Sequence, residues 1–249
     1  MAIIIMFIIG TIFGSFYNVV GYRLPKNESI VYPSSHCPNC NHKLKPYELI
    51  PIISYIFQKG KCTSCHQKIS KFYPFFEALT GALFALAYIS YGLTPKLIIV
   101  LTFLSMLIII TISDYQCLII PDSVLVTFTI ALIVEIFIIN GINQTGNSII
   151  NGLVAFAFMF GLKIIGDVLF KKESMGGGDI KLLFIFGLVL GFPLAIFSIF
   201  LGALIGLPIS LITLHKNQEH IIPFGPFLAT GATIIILTKI TFEQLMTII

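Results

Sequence analysis

Two carboxylates and four thiols are the side chains of this 249-residue sequence whose types and spacing suit chemistry. Asp114 closes a long apolar run, residues 97–113, with no basic residue beside it, and Asp179 follows Gly176-Gly177-Gly178 and opens another apolar run. Two carboxylates held close together share one proton, so one serves as general base toward water and the other as general acid toward a carbonyl. Glycine permits unusual dihedrals and close backbone approach, so an Asp on a Gly-Gly-Gly turn suits work on an extended peptide. Cys37-Pro-Asn-Cys40 and Cys62-Thr-Ser-Cys65, with 21 residues between them, offer two thiolates each from tight turns, the donor set of a tetrahedral zinc site. In a reducing compartment zinc is favoured over disulfides. Four protein ligands leave no open position, so Cys37, Cys40, Cys62 and Cys65 are expected to staple a fold. His36, His42 and His66 flank them as surface histidines, and Cys117 has no partner in the pattern.

Other charges also interrupt apolar stretches, where an ionisable group is costly and marks function by default. Lys163 and Asp167 are four apart and suit an i,i+4 pair. Asp122, after Pro121, suits a helix N-cap first and a catalytic group second. Glu77 follows Tyr73-Pro74 as either an interfacial anchor or a group supporting the site. Asp114 and Asp179 remain without such explanations. Asp179 would sit at the positive N-terminal pole of its helix and Asp114 at the negative C-terminal pole of its own, a contrast of about 0.3–1 kcal/mol each. This expectation gives the shared proton to Asp114, with Lys181 pushing the same way.

The elements that must position these groups are membrane helices. Hydrophobic residues make up 57% of the chain, charged residues 10%, and the mean hydropathy is +0.99; soluble domains carry about 25% charged residues. With a ruler of about 20 apolar residues, eight spans are expected at roughly 2–20, 75–91, 97–113, 123–139, 149–170, 179–190, 194–214 and 224–237. Gly191 and Pro193 break the short sixth span from the seventh, so six or seven crossings are also compatible. Eight of the fifteen Lys and Arg residues lie between Arg23 and Lys71. A basic loop between apolar spans marks the cytoplasmic side; no nucleic-acid partner is inferred. The N-terminus then falls outside, Lys171, Lys172 and Lys216 fall inside, Lys96 and Lys239 fall outside, and both aspartates approach the cytoplasmic face. The first span lacks the basic start and cleavage site of a secretory signal, so it is expected to be retained. No internal repeat stands out. The expected organisation is a first transmembrane helix at 1–21, a cytoplasmic zinc loop at 22–73 and a transmembrane catalytic bundle at 74–249. The fold class is all-α polytopic, with about eight transmembrane helices and a small zinc-binding loop domain.

Taken in order, these residues resemble the type IV prepilin peptidase family of GxGD-type intramembrane aspartyl proteases. The resemblance rests on Gly14-Ser15-Phe16-Tyr17-Asn18-Val19 with Arg23-Leu24-Pro25; on the double C-x-x-C loop with Pro51-Ile52-Ile53-Ser54-Tyr55 and Gly60-Lys61-Cys62; on Tyr73-Pro74-Phe75-Phe76-Glu77; on Asp114 through Ile120-Pro121-Asp122; and on Met175-Gly176-Gly177-Gly178-Asp179-Ile180-Lys181-Leu182-Leu183. It implies a bacterial inner-membrane endopeptidase that removes the basic leader of a prepilin or pseudopilin after Gly, on the cytoplasmic face, in pilus assembly, secretion or competence. It also implies N-methylation of the new terminus with S-adenosylmethionine, for which no residue here defines a donor pocket. Asp114 and Asp179 would be catalytic, and Gly176, Gly177, Gly178, Lys181 and Glu77 would line the turn and the substrate path.

Three other classes share some of these features. A transporter also uses broken helices and intramembrane Asp, but with paired interruptions in two halves, a symmetry not found here. A thiol oxidoreductase needs exposed reactive thiols. A scaffold with a zinc loop would tolerate substitution of both aspartates.

Overall fold

Long stretches without Pro and rich in Ile, Leu, Phe and Ala satisfy every backbone group locally, as lipid requires, and so become helices. The computed structural model describes residues 1–171, 175–216 and 223–248. Its helices are α1 (Ala2–Arg23), α2 (Ile53–Phe57), α3 (Phe72–Tyr91), α4 (Pro95–Cys117), α5 (Asp122–Phe170), α6 (Gly177–Leu190), α7 (Phe192–Lys216), α8 (Gly225–Thr238) and α9 (Phe242–Ile248). No strand occurs among the described residues, only two isolated bridges.

Among the described residues, five helices are long and apolar enough to cross a membrane: α1, α3, α4, α5 and α7. The fourth and fifth expected spans form one 49-residue helix by hydrogen bonding, yet Gly141 within it (φ 80°, ψ 175°) is not helical and divides α5 into two arms. Only glycine adopts such a φ without strain. Helices α6 and α8 have 14 residues each, shorter than the roughly 20 of a full span. The expected Lys172 lies outside the described residues, as does the side chain of Lys216.

The chain divides into two compact units, Met1–Gly92 and Leu93–Ile249, so α3 shares a unit with α1. In the first unit these two helices run antiparallel and pack through small residues. A Cβ on Gly10 would lie 2.8 Å from the Gly81 Cα, and one on Gly14 would lie 2.9 Å from the Glu77 Cα. Such approach is how membrane helices gain contact without a hydrophobic drive. Asn18 Nδ2 donates to the Tyr73 carbonyl at 3.2 Å.

The loop between α1 and α3 does contain a repeat, contrary to the expectation from sequence. Cys37 N–H donates to His42 O and Asn41 N–H to Cys37 O, while Cys62 N–H donates to Gln67 O and His66 N–H to Cys62 O. The flanking bridges His36–Lys43 and Lys61–Lys68 also correspond, as do Leu44 N–H to Ser35 O and Ile69 N–H to Gly60 O. Each turn needs one left-handed residue, Asn41 (φ 56°) and His66 (φ 55°). The copies share Cys37/Cys62, Cys40/Cys65 and Lys43/Lys68 in register, while the residues between them differ.

In the second unit α4 is the most enclosed helix. It packs against α5 and α8, α5 packs against α6, and α7 packs against α6 and α8. Phe103, Leu104, Met106, Leu107, Ile110 and Ile112 of α4 are almost wholly buried.

Candidate functional site

Asp114 lies in the last turn of α4, buried at 7% exposure. The helix ends because Leu118 turns left-handed (φ 56°), its N–H closing onto the Asp114 carbonyl. Ser113 Oγ donates to the Ile119 carbonyl, fixing the exit strand toward Pro121. Asp179 is in the first turn of α6, half-buried. The two carboxylates are near enough for the charge of Asp114 to act on Asp179.

Helix α8 completes the arrangement. Gly225 N–H, at the start of that helix, donates to Asp114 Oδ2 at 2.9 Å. A Cβ on Gly225 would stand 2.7 Å from the same oxygen, so only glycine lets the backbone come this close without displacing the carboxylate. A hydrogen bond to a charged group is worth about 1.5–3 kcal/mol. Three helices far apart in sequence therefore converge on one pair of carboxylates. Sequence reasoning missed Gly225. The signal available was Phe224-Gly225-Pro226, a Gly-Pro step opening an apolar helix.

The glycine triplet behaves differently from expectation. Gly176 has ordinary extended backbone (φ −65°, ψ 140°), and Gly177 and Gly178 already belong to α6, so no unusual dihedral is required. What matters is space. A Cβ on Gly178 would meet the Ile120 Cβ at 2.8 Å, whereas Gly177 faces nothing within 4 Å.

Asp122 does not cap its helix. It is the first residue of α5, after N-cap Pro121, and makes no side-chain capping bond. Its carboxylate instead receives the Lys181 ammonium at 2.7 and 2.8 Å, with both side chains exposed. This pair ties the start of α5 to the helix carrying Asp179. Glu135, an acid in the apolar run of α5, was also passed over. It accepts from Thr102 Oγ1 of α4 at 2.7 Å, a polar bond between the enclosed α4 and the more exposed α5.

Glu77 does its bonding within the first unit. It is buried at 8% exposure, and its Oε2 accepts the Ile52 N–H at 2.7 Å. Ser15 hydrogen-bonds the same carboxylate. The Ile52 backbone is left-handed (φ 60°), a costly state for a β-branched residue, and the bond to Glu77 helps to hold it.

The four cysteines of the loop form a group that could hold a metal ion, their sulfurs all within 4.8 Å of one another. Cys37 Sγ lies 3.8 Å from Cys65 Sγ, and Cys40 Sγ lies 3.9 Å from Cys62 Sγ, so these are free thiols and not the bonds of about 2.05 Å found in disulfides. The backbone N–H of Gln67 and its neighbours draw the Cys65 thiol down to about 6. The N–H of His42 favours the Cys40 thiolate, but desolvation and the neighbouring thiols outweigh it and push that thiol up to about 11. A bound cation would relieve the opposition of these thiols to the Cys40 thiolate. The histidines stay outside the cluster: His36 Nδ1 bonds Ser34 O and His42 Nε2 meets Glu48 Oε2 at 3.3 Å. Glu48 is a third residue missed in sequence. Buried at 6% exposure, it accepts from Lys45 N–H at 2.7 Å, from His42 and from the Thr63 hydroxyl, so it ties one cysteine turn to the other. Those donors, the Lys45 N–H first, hold its carboxyl below the usual range.

Several apolar helices long enough to cross a membrane, in a chain that also carries paired carboxylates and a four-thiol loop, define a multi-pass membrane protein. Comparison with known proteins narrows this. Residues 8–91 match the model of the bacterial peptidase A24 N-terminal domain, and residues 101–211 match that of the type IV leader peptidase family. A prepilin leader peptidase/N-methyltransferase of Bacillus subtilis (strain 168) is 37% identical over 232 residues, 92% of this chain and 91% of the relative. Proteins of the same description from Neisseria gonorrhoeae and Pseudomonas aeruginosa are each 32% identical, covering 92% of this chain and 87% and 88% of the relatives. The chain belongs to the type IV leader peptidase family. No solved structure matches it.

Proposed function

We propose that this protein removes the leader from type IV prepilins or pseudopilins, with Asp114 and Asp179 as the catalytic pair, and methylates the new N-terminus. The observation that carries the peptidase reading is the convergence of α4, α6 and α8 on two carboxylates, one pinned by the Gly225 N–H. The pair holds one proton between its members: the ionised carboxylate takes a proton from water and the protonated one donates toward the scissile carbonyl. Asp114 Oδ2 is committed as an acceptor, so the shared proton belongs on Asp114 Oδ1 or on Asp179. The helix-pole contrast expected from sequence is thereby weakened, because Asp114 Oδ2 also meets a helix N-terminus, that of α8.

The open face at Gly177 suits close approach of an extended substrate backbone, with Gly176 and Gly178 beside it. Lys181 serves this region by holding α6 to α5, whereas Glu77 holds the loop to α3 within the first unit. A zinc ion with Zn–S bonds of about 2.3 Å spaces tetrahedral sulfurs about 3.8 Å apart, close to the 3.8 and 3.9 Å found between cysteine pairs. Cys37, Cys40, Cys62 and Cys65 would hold it, and its contribution is structural. Methyl transfer would draw on S-adenosylmethionine. The basic loop supports a cytoplasmic position for residues 22–73 and for the carboxylates, in a bacterial inner membrane, with about eight crossings if both arms of α5 and the short α6 and α8 each traverse.

The test is coexpression with a prepilin, following the N-terminal mass of the product. Loss of the leader mass and gain of one methyl are expected. An unprocessed prepilin beside well-inserted protein overturns the peptidase reading, and cleavage without added mass removes the methyltransferase part.

A further inference from the structure

The loop carries an apolar edge that neither the metal cluster nor the carboxylates use. Leu49, Ile50, Ile53, Ile56 and Phe57 are all exposed, Phe57 at 82%. Ile53, Ile56 and Phe57 fall at i, i+3 and i+4 of α2, so one side of that turn is wholly apolar. The other side is used inward: Tyr55 Oη donates to Ile69 O at 3.5 Å, and the Tyr55 ring lies against Gly60, where a Cβ would meet its oxygen at 2.8 Å. In water such an edge is unfavourable by about 25 cal/mol per Å². It is attached near the start of an apolar helix long enough to cross a membrane. Glu77 Oε2 holds the Ile52 N–H directly ahead of α2, and Glu77 is five residues into α3 (Phe72–Tyr91), about 7.5 Å from its start at the helical rise. Interfacial helices bury their apolar face by about 5–10 Å. Exposed aromatics surround the same level, Tyr73 and Phe75 on α3 and Phe16 and Tyr22 on α1, as at a membrane–water boundary. Residues 49–61 include Lys59 and Lys61 and no acid, a charge pattern that suits anionic headgroups.

We infer that Leu49–Ile50 and α2 form an interfacial anchor, seated in the headgroup–acyl boundary of the leaflet that α1 and α3 enter, so that the four-cysteine module rides on the membrane surface. The inference needs α1 and α3 to be membrane spans and is independent of catalysis.

The chain contains no Trp, so Phe57→Trp and, separately, Ile56→Trp each give a single emitter. Full-length variants that keep the parent's circular dichroism and elution would be reconstituted in phosphatidylcholine/phosphatidylglycerol vesicles, with Phe75→Trp as the lipid-facing control. Expected are blue-shifted emission, loss of most intensity with lipids brominated near the headgroup, weaker loss with deep bromines, and resistance to aqueous acrylamide. Acrylamide quenching without bromine quenching makes the edge aqueous and overturns the anchor. Protection from both quenchers means that protein covers it, a second copy or this chain itself, and overturns it equally.

Discussion

The four-cysteine loop and the carboxylate site solve the same problem, holding mutually repelling groups together, by different means. In the loop all four thiols come from residues 37–65, two copies of one backbone turn present them, and Glu48 clips the copies together. At the carboxylates the groups come from residues 114 and 179, and the clamp is a backbone N–H at 225. The loop is local and its four thiols could hold a cation. The carboxylate site is long-range and depends on helix packing at glycine. Damage to the first should therefore stay in the first unit, and damage to the second should appear in turnover.

The largest effect is expected from removing the metal. Structural zinc sites in small modules are worth on the order of 10 kcal/mol, so Cys62→Ser or strong chelation should release one metal per chain and open residues 30–70 to protease. Helix content should persist. A protease-resistant loop without metal would break the contrast, because the loop would then hold by packing alone.

Next come Asp114→Asn and Asp179→Asn. Each should lower prepilin cleavage by about 10²–10⁴-fold while membrane fractionation is unchanged. Normal turnover in either variant removes that residue from the pair. Gly225→Ala should follow, at about 10²-fold, the cost of an ångström-scale misplacement, because its Cβ would crowd Asp114 Oδ2 at 2.7 Å. The loss should fall on kcat more than KM; a pure KM effect would make Gly225 a substrate contact instead.

Glu48→Ala leaves Lys45 N–H, His42 and Thr63 without their acceptor and should weaken the loop by about 1–3 kcal/mol, read as faster hydrogen exchange at residues 41–45. The carboxyl lies below its usual value of about 4.3. Its stabilisation is therefore complete above that value and is lost as pH falls through the lower folded value. Glu48→Gln should abolish that acid component. Smallest is Lys181→Ala. Its pair with Asp122 is exposed and should contribute less than about 1 kcal/mol; a large loss of cleavage would instead make Lys181 a substrate contact.

The same contrast explains what was legible in sequence. The cysteine pairs could be read because ligand spacing is a local property, and α1, α3, α4 and α6 because apolar runs mark helices. Gly225 could not, since its role is a backbone N–H 111 residues from the acid it serves. Asp122 was misread for a related reason. A local rule favours an N-cap after Pro121, but Lys181, 59 residues away, offers a stronger partner. Glu48 looked like any loop acid until folding buried it. The fourth and fifth spans were separable on hydropathy, and the non-helical Gly141 divides α5 into two arms accordingly.

Gly92 ends α3 with φ +60°, and a Cβ there would meet nothing within 4 Å. It also ends the first compact unit, and it falls in the interval between the two family matches, 8–91 and 101–211. In genetic terms that glycine is a seam: a reading frame interrupted or spliced there would part no helix and separate no pair of metal ligands or carboxylates. All four thiols of the metal group lie on one side of it and both carboxylates on the other.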